Sequence, residues 1–466
     1  MFLQVGKHKH LFILFGVYLA ARIITYNLEI YPVGNELALK MQLINPLLLK
    51  ENFFKSLYYL HYQPPVWNFI YGIMIKIFGI NYSTLSTALH FFNIFLSFVM
   101  IYYFYLIANY FKLKKKEMYI FYLIFFVFSL SFLFYETYIH YTHLTALLFA
   151  QISYLFLRFD EKYSLKFEIY IYFTALLLSF TWSAFSHPLF IFVIFIGICL
   201  IKFKKNILRS FLLLVIFSLL TLTLSIKNKI EFNIFASSSW IGMQIFTVLS
   251  FDDNWNRWDE CNFSAAHIIK DELSYKKNNI NFNNNHPSVV GALSKYNNVG
   301  FIYRTKKCLK LGINQIINDP LRYIKRVKYL IISNHGHYAF DHIGWDPKEW
   351  RKYFNFFYDI NNNKFFNPIK VRSLQLYHFI MYLFFTVIVL RSFFFINNDK
   401  DRYYKPIASI FLVYLWLMIV THMAAGYEHE RFRFTGHFLN ILFIILLLKN
   451  RFINKSLLKI RSILLS

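Results

Sequence analysis

Apolar runs close to 20 residues long alternate with short polar links along most of the chain. Runs of this length predict membrane-spanning helices, because an α-helix needs about 20 apolar residues to cross the hydrocarbon core of a bilayer. We expect spans at about residues 11–26, 84–111, 118–135, 138–157, 168–184, 188–203, 207–226, 372–396, 404–424 and 434–450. The pattern therefore predicts an all-α polytopic membrane protein with about ten or eleven transmembrane helices.

The polar links between these spans are basic on one side of the membrane. Positively charged links remain on the cytoplasmic side, so this bias predicts an orientation with the N-terminus inside. The inner segments are then 112–117, 158–167, 202–209, 397–405 and the C-terminal tail. The outer segments are 27–83, 135–138, 185–187, 227–371 and 425–433.

One apolar stretch is too short for a span. Residues 65–79 (PVWNFIYGIMIKIFG) number only fifteen and include Lys76. If they crossed the membrane, every later basic link would move to the outer side. We therefore predict an interfacial helix that lies along the membrane surface.

Two of the outer segments are long enough to form structures of their own. The first outer loop, 27–83, has helix-like apolar spacing interrupted by prolines and belongs to an N-terminal transmembrane module, 1–226. The second, 227–371, is rich in Asn and Trp, and we expect a small mixed subdomain there. A C-terminal transmembrane module, 372–466, follows it.

Composition and charge agree with a membrane location. Of the 466 residues, 57% are hydrophobic and 16% are charged, whereas an average soluble protein has about 25% charged residues. The net charge of +26 does not indicate nucleic acid as a partner, because the positive residues cluster in the links between apolar runs. Some of this charge also favours contact with anionic lipid headgroups.

The three cysteines give no metal-binding pattern. Cys199 lies in an apolar run and is expected to be a small buried hydrophobic residue. Cys261 and Cys308 share the large outer segment and would form a disulfide if that segment faces an oxidising compartment.

The unusual polar residues fall on the predicted outer side. Carboxylates at membrane depth are unfavourable and usually have a task or a partner there. The alternative for Glu36 is a solvated residue at a helix start, and the alternative for His140 is a satisfied interior histidine. The candidate catalytic residues are Glu36 and Glu136, and the candidate substrate-binding residues are Asn35, His61, Gln63, His140, His187, Glu430, Arg431 and Arg433.

One chemistry would use all of these groups. A sugar held on a membrane lipid through a phosphate carries a leaving group that Arg and His side chains can bind. A carboxylate can then deprotonate the incoming hydroxyl. Attack from the side opposite to the phosphate would invert the anomeric carbon, as in inverting glycosidases.

Four local patterns carry a resemblance to a known class. They are GNE at 34–36, HYQPPVWNFIYGIMIKIFG at 61–79, INDPLRYIKR at 317–326 and ERFRFTGHF at 430–438. In their order and common side, these resemble the acidic pair, the His-x-Pro-Pro run, the Pro-x-x-Tyr stretch and the late Glu-x-Arg element of the GT-C integral-membrane glycosyltransferases. The resemblance is to the branch that contains the protein O-mannosyltransferases and aminoarabinose transferases.

The resemblance implies roles for individual residues. The family usually has Asp as the first member of the acidic pair, and Asn35 stands at that position here. An amide cannot accept the proton, so the resemblance implies Glu36 or Glu136 as the base. It also implies that His187, Arg431 and Arg433 contact the donor phosphate.

The resemblance further implies the substrates and the location. The donor would be a polyprenyl-phosphate sugar, and the acceptor a lipid-linked glycan, a lipid or a protein at the outer face. Members of the class differ in their need for a divalent metal, and no cluster in this sequence requires one. The bias towards Lys, Asn, Ile and Phe indicates an AT-rich genome, and with no retention signal it favours a bacterial inner membrane.

Three other functions stay open at this point. A surface-polysaccharide polymerase or ligase would have paired arginines in the large outer loop. A transporter or channel would have charged or helix-breaking residues in the middle of its spans and some repeat symmetry. A catalytically inactive binding protein of the same class stays open because of Asn35.

Overall fold

A computed structural model describes residues 5–27, 43–202, 206–242, 244–245, 261, 299–334, 366–394, 404–424 and 434–449. All regular elements in these ranges are helices, with no strand among them. The first eight are α1 (Val5–Asn27), α2 (Pro46–Glu51), α3 (Phe53–Tyr58), α4 (Val66–Phe78), α5 (Tyr82–Tyr110), α6 (Lys115–Tyr122), α7 (Leu130–Thr137) and α8 (Thr142–Glu161). The others are α9 (Leu165–Thr181), α10 (Pro188–Lys202), α11 (Ile207–Phe232), α12 (Val299–Asn318), α13 (Pro320–Asn334), α14 (Phe366–Phe394), α15 (Tyr404–Ala424) and α16 (His437–Lys449).

The described helices agree with an all-α membrane protein. Four of them are long and apolar enough to cross a bilayer: Lys9–Asn27 in α1, α5, α11 and Leu376–Phe394 in α14. A fifth span results if Lys115–Val127 and Ser131–Thr137, bent by 50°, count as one. Shorter apolar helices occupy Val66–Phe78, Pro188–Lys202, Tyr404–Val420 and His437–Leu447.

Helix α8 forms the centre of the bundle. Nearly all of its side chains are buried, including those of Phe149, Phe156 and Phe159. It packs against α5, α9, α15 and α16, while α10 packs between α11 and α15. Because almost every side of α8 is buried, the helices that carry the polar residues pack around it.

The third predicted span is broken near its end. After α6, residues 123–127 form a π-helical turn, and the chain restarts at α7 with Ser129 Oγ accepting from the Phe132 amide at 3.2 Å. Glu136 therefore lies in the last turn of α7, and the connection to α8 occupies residues 138–141 instead of the predicted 135–138.

The predicted interfacial stretch is a helix. Helix α4 begins after Pro65 and ends at Phe78, and the next residue, Gly79, has a φ of +81° that is accessible to glycine without strain. Trp67 and Tyr71 on one side are buried, while Ile77 on the other side is exposed. The helix packs against α2 and α5.

The regular elements that the structure describes in the large outer segment are helices, and residues 233–240 between them are irregular. Helix α11 continues to Phe232, and α12 and α13 occupy residues 299–334. The described part of that segment contains no strand, and the expected mixed subdomain stays a prediction. Cys261 and Cys308 form the disulfide that the sequence left open, with their Cα atoms 5.7 Å apart.

Candidate functional site

A buried polar cluster lies where α1, α5, α7 and α8 meet. Its members are Tyr18 and Arg22 of α1, Ser97 of α5, Glu136 of α7 and His143 of α8. All five side chains are buried. The cluster brings together residues that are distant in sequence around one of the predicted catalytic carboxylates.

The centre of this cluster is an ion pair between Arg22 and Glu136. Arg22 Nε lies 2.6 Å from Glu136 Oε1. Arg22 Nη2 also donates to the Phe126 carbonyl at 3.2 Å, and the guanidinium lies 4.5 Å from the centre of the Tyr18 ring. Because the helical segment ends at Val127, the Phe126 carbonyl is in a last turn, where backbone acceptors need partners from outside the helix.

The second carboxylate oxygen of Glu136 is engaged from two helices. The Tyr18 hydroxyl and the Ser97 hydroxyl both donate to Oε2, the latter at 2.6 Å. Ser97 Oγ also lies 2.8 Å from His143 Nε2. Since a serine has a single proton and the charged acceptor takes it, Nε2–H of His143 must donate to Ser97 Oγ. His143 therefore donates to Ser97, and Ser97 donates to Glu136, in a chain of two hydrogen bonds.

Asn93 holds the backbone beneath this chain. Its Nδ2 donates to the Glu136 carbonyl at 2.9 Å. This hydrogen bond fixes the main chain of Glu136, in the last turn of α7, to α5. Both the side chain and the main chain of Glu136 are thus attached to α5, which leaves little freedom for the carboxylate to reorient.

The cluster lies deep along α5. Ser97 is fifteen residues from the N-terminal residue Tyr82, which corresponds to about 22 Å at the rise of an α-helix. Glu136 has an exposed fraction of 0%. It was expected in a short turn at the outer face, and the bend after Val127 explains the difference because it directs α7 into the bundle.

This geometry favours a positioning role for Glu136. Oε1 of Glu136 forms the ion pair with Arg22, and Oε2 accepts from Tyr18 and Ser97. A buried ion pair fixes the geometry of its neighbours, and losing one partner is strongly destabilising. The arrangement holds the end of α1, from which the chain continues towards residue 36.

The segment 61–65 (HYQPP) is docked on the residues that follow α11. His61 Nδ1 lies 2.9 Å from Ser239 Oγ, and the Ser239 amide donates to the His61 carbonyl at 2.9 Å. The His61 ring packs edge-on against Phe232 at 4.9 Å. Ser238 Oγ donates to the Tyr62 carbonyl. His61 and Gln63 are both buried. These contacts attach the segment to the end of α11.

Gln63, the second candidate substrate-binding residue in this segment, has a side chain with an exposed fraction of 6%. It follows Tyr62, whose carbonyl accepts from Ser238, and precedes the prolines that lead into α4. Its position within the docked segment places it inside the same assembly as His61. The substrate-binding role expected for His61 and Gln63 stays a prediction.

Helix α12 also binds to the residues after α11 on which the His61 segment is docked. Thr305 Oγ1 donates to the Ser239 carbonyl at 2.6 Å, and Lys306 Nζ donates to the Phe232 carbonyl at 3.0 Å. Burial, followed by repulsion from Lys229, lowers the pKa of Lys306. Cys308 of the disulfide lies one helical turn after Thr305, so the covalent link and the hydrogen bonds act on the same helix.

Two predicted histidines occupy helix starts. His140 Nδ1 lies 2.6 Å from Thr142 Oγ1 and accepts from the Thr142 amide at 3.2 Å, at the beginning of α8. His187 Nδ1 accepts from the Leu189 amide at 3.2 Å, at the beginning of α10. Burial lowers the pKa of His187, although its side chain remains exposed on one side. Both residues therefore have capping contacts, which satisfy free backbone donors.

The other candidates lie outside the described residues. They are Asn35, Glu36, Glu430, Arg431 and Arg433. The base proposed from the first outer loop and the phosphate ligands proposed from the late arginines remain predictions.

A second buried carboxylate lies near the other end of the bundle. Glu168 of α9 accepts from Arg209 through Nη2 at 2.6 Å and Nε at 3.1 Å. Ser210 Oγ donates to its other oxygen, and Lys202 Nζ lies 3.6 Å away. Sequence reasoning missed this cluster as well as Arg22 and Ser97. An arginine inside the first apolar run was a signal for Arg22, whereas nothing distinguished Ser97 from other serines.

No metal site is evident in the part of the chain that the structure describes, where no group of three or more His, Cys, Asp or Glu side chains could hold an ion. Comparisons with protein families, with curated proteins and with solved structures find no match to this chain. Functional assignment therefore depends on the residues and their geometry.

Proposed function

We propose that this chain is a membrane glycosyltransferase of GT-C type. It would transfer a sugar from a polyprenyl-phosphate donor to a lipid, glycan or protein acceptor by an inverting single displacement. The observation that supports this proposal is the docking of the His61 segment on Ser239 and, through Ser239, on α12. Two outer segments that the resemblance implicates thereby form one assembly at one end of the bundle.

The catalytic roles divide between the two carboxylates. Glu36 is the proposed base, because it follows the position where the class usually has its acid. Glu136 is the proposed positioning residue, since its contacts with Arg22 and Ser97 hold α1 against α5. Arg431 and Arg433 are the proposed ligands of the donor phosphate, because arginine binds phosphate through two parallel hydrogen bonds.

The proposed location is a bacterial inner membrane with the reaction on the outer side. The Cys261–Cys308 disulfide supports that orientation, because disulfides persist in oxidising compartments such as the periplasm. The donor and acceptor would both reach the site from the outer leaflet.

The test is a transfer assay with purified protein in proteoliposomes. Undecaprenyl-phosphate glucose, mannose and aminoarabinose are supplied one at a time to proteoliposomes that contain a bacterial envelope extract as the source of lipid, glycan and protein acceptors, and release of undecaprenyl phosphate is measured. We expect release with one donor, at least a hundredfold reduction in Glu36→Gln, and wild-type rates in the matched control Glu161→Gln, whose carboxylate is at the end of α8. Absence of release with all three donors, or full activity in Glu36→Gln, would contradict the proposal.

A second candidate function follows from the buried cluster. Arg22 lies within a helix of membrane-spanning length and pairs with Glu136, which also accepts from Ser97 midway along α5. Intramembrane ionisable groups often form ion or proton pathways. If the protein is a proton-coupled transporter, an imposed pH gradient would change the pH inside vesicles that contain it. Glu136→Gln would abolish that change. A transferase would give no such response.

A further inference from the structure

The helices α12 and α13 carry an unusual density of positive charge. They are joined through Asp319, whose carboxylate accepts from the Arg322 amide at 3.0 Å and starts α13. Neither helix contains an acidic residue. Their basic residues are Arg304, Lys306, Lys307, Lys310, Arg322, Lys325, Arg326 and Lys328. We call the junction, residues 307–328, the basic elbow.

The basic elbow also exposes large apolar side chains. Ile317 is 70% exposed, Leu321 67% and Ile324 60%, and Ile313 one turn earlier is 42% exposed. In α12 the two isoleucines are four residues apart and thus lie on one side of the helix. In α13 the leucine and isoleucine are three residues apart and share a side in the same way.

Exposed lysines flank these apolar side chains. Lys310 lies one turn before Ile313, and Lys325 and Lys328 lie on the exposed side of α13. A side of a helix that combines exposed isoleucine or leucine with lysine is typical of helices at a membrane interface, where lysine extends to the headgroups.

Both ends of the α12–α13 pair are attached to the bundle. Ile302 of α12 packs against Phe232 and Ile234 at the end of α11. Helix α13 packs against α15. Neither α12 nor α13 is among the described helices that are long and apolar enough to cross a membrane. The pair therefore runs beside the end of a membrane-length helix, where a bilayer surface would lie.

We propose that the basic elbow lies on the surface of the bilayer that holds the bundle, with Ile317, Leu321 and Ile324 inserted at the boundary between headgroups and acyl chains. Lys310, Lys325 and Lys328 bind the phosphates of anionic phospholipids. Charge complementarity selects this occupant, since the elbow exposes four lysines and one aspartate. Charge in long outer loops has little influence on topology, so orientation alone does not account for it.

The inference does not depend on the proposed reaction, and spin labels test it directly. Ile317→Cys, Leu321→Cys and the control Asn318→Cys are made in a Cys199→Ser background, in which the other two cysteines are in the disulfide. Asn318 is exposed and lies about 100° around α12 from Ile317. Labelled protein is placed in nanodiscs of phosphatidylcholine with or without 30% phosphatidylglycerol, and collisions with oxygen and with a water-soluble nickel complex are measured.

We expect the labels at 317 and 321 to be accessible to oxygen and at least threefold less accessible to nickel than the label at 318. This shielding should increase with phosphatidylglycerol, and the triple variant Lys310→Gln/Lys325→Gln/Lys328→Gln should lose the increase. Equal nickel access at 318 and 321 would overturn the proposal. So would shielding from both reagents, which indicates a protein cover, or dipolar broadening, which indicates a second copy of the chain. Shielding that is the same in both lipid mixtures would overturn the role of anionic lipid.

Discussion

Replacing Glu136 by Gln should strongly destabilise the protein. The substitution preserves size and allows Ser97 and Tyr18 to keep a hydrogen-bond acceptor, but it removes the charge that lies 2.6 Å from Arg22 Nε. The guanidinium would then be buried without a counter-charge. Removing one partner of a buried ion pair costs about 3–5 kcal/mol, so we expect a loss of that size in the free energy of unfolding.

A double-mutant cycle separates this effect from general damage to the site. Unfolding is followed by the fluorescence of the eight tryptophans during titration with sodium dodecyl sulfate. The proteins compared are the wild type, Glu136→Gln, Arg22→Met and the double variant. Because either single change leaves a charged or polar group unpaired, we expect a coupling of about 2–3 kcal/mol, as for residues in direct contact.

The matched control is another Arg–Glu pair in the same chain. Arg158 and Glu161 form an ion pair at the end of α8 with side chains that are 31% and 39% exposed. Exposed pairs contribute about 0.2–1 kcal/mol, so Glu161→Gln should have a small effect. If Glu136→Gln and Glu161→Gln destabilise equally, or if the effects at Arg22 and Glu136 simply add, the buried ion pair does not hold the bundle together.

Three further substitutions test the cluster around Glu136 and the contacts of helix α12. Ser97→Ala should cost about 1–3 kcal/mol, because it leaves buried groups without their hydrogen bond, and the same detergent titration measures it. Gly242→Ala should lower the thermal unfolding midpoint because its Cβ would overlap a backbone oxygen of α12, whereas Gly16→Ala, with nothing within 4 Å, should not; equal midpoints would refute the close approach. Cys261→Ser should cost about 4 kcal/mol by the loop-entropy estimate for a separation of 47 residues. Alkylation before and after reduction should find two protected thiols in the wild type, and three reactive thiols without reduction would contradict the disulfide with Cys308.

The positions of most helices could be predicted from the sequence. The run expected at 188–203 is α10, Pro188–Lys202, and the run expected at 84–111 is α5, Tyr82–Tyr110. Local chemistry explains this agreement. Proline is favoured at the first position of a helix, and Pro188 occupies that position in α10. The Asn81 side chain accepts from the amides of Ser83 and Thr84 at the start of α5.

The environment of Glu136 could not be predicted in the same way. An apolar run has the same composition whether its helix is straight or bent, so the break at Ser129 leaves almost no trace in the residue pattern. The partners of Glu136 come from α1 and α5, and only the packing of those helices against α7 selects Arg22 and Ser97 from the other polar residues. The chemistry expected from the motifs at 34–36 and 430–438 lies outside the described residues and stays a prediction.

The ion pair also constrains how the protein is made. Tyr18 and Glu136, which meet in the finished bundle, are 118 residues apart. At about 5–20 residues per second, a ribosome needs about 6–24 s to synthesise the residues between them. During that interval the neighbouring Arg22, five residues before the end of α1, has no carboxylate partner from α7, and an unpaired arginine within a membrane span is unfavourable. We therefore expect the first helix to take its final position against the bundle only after α7 has been made and Glu136 can pair with Arg22.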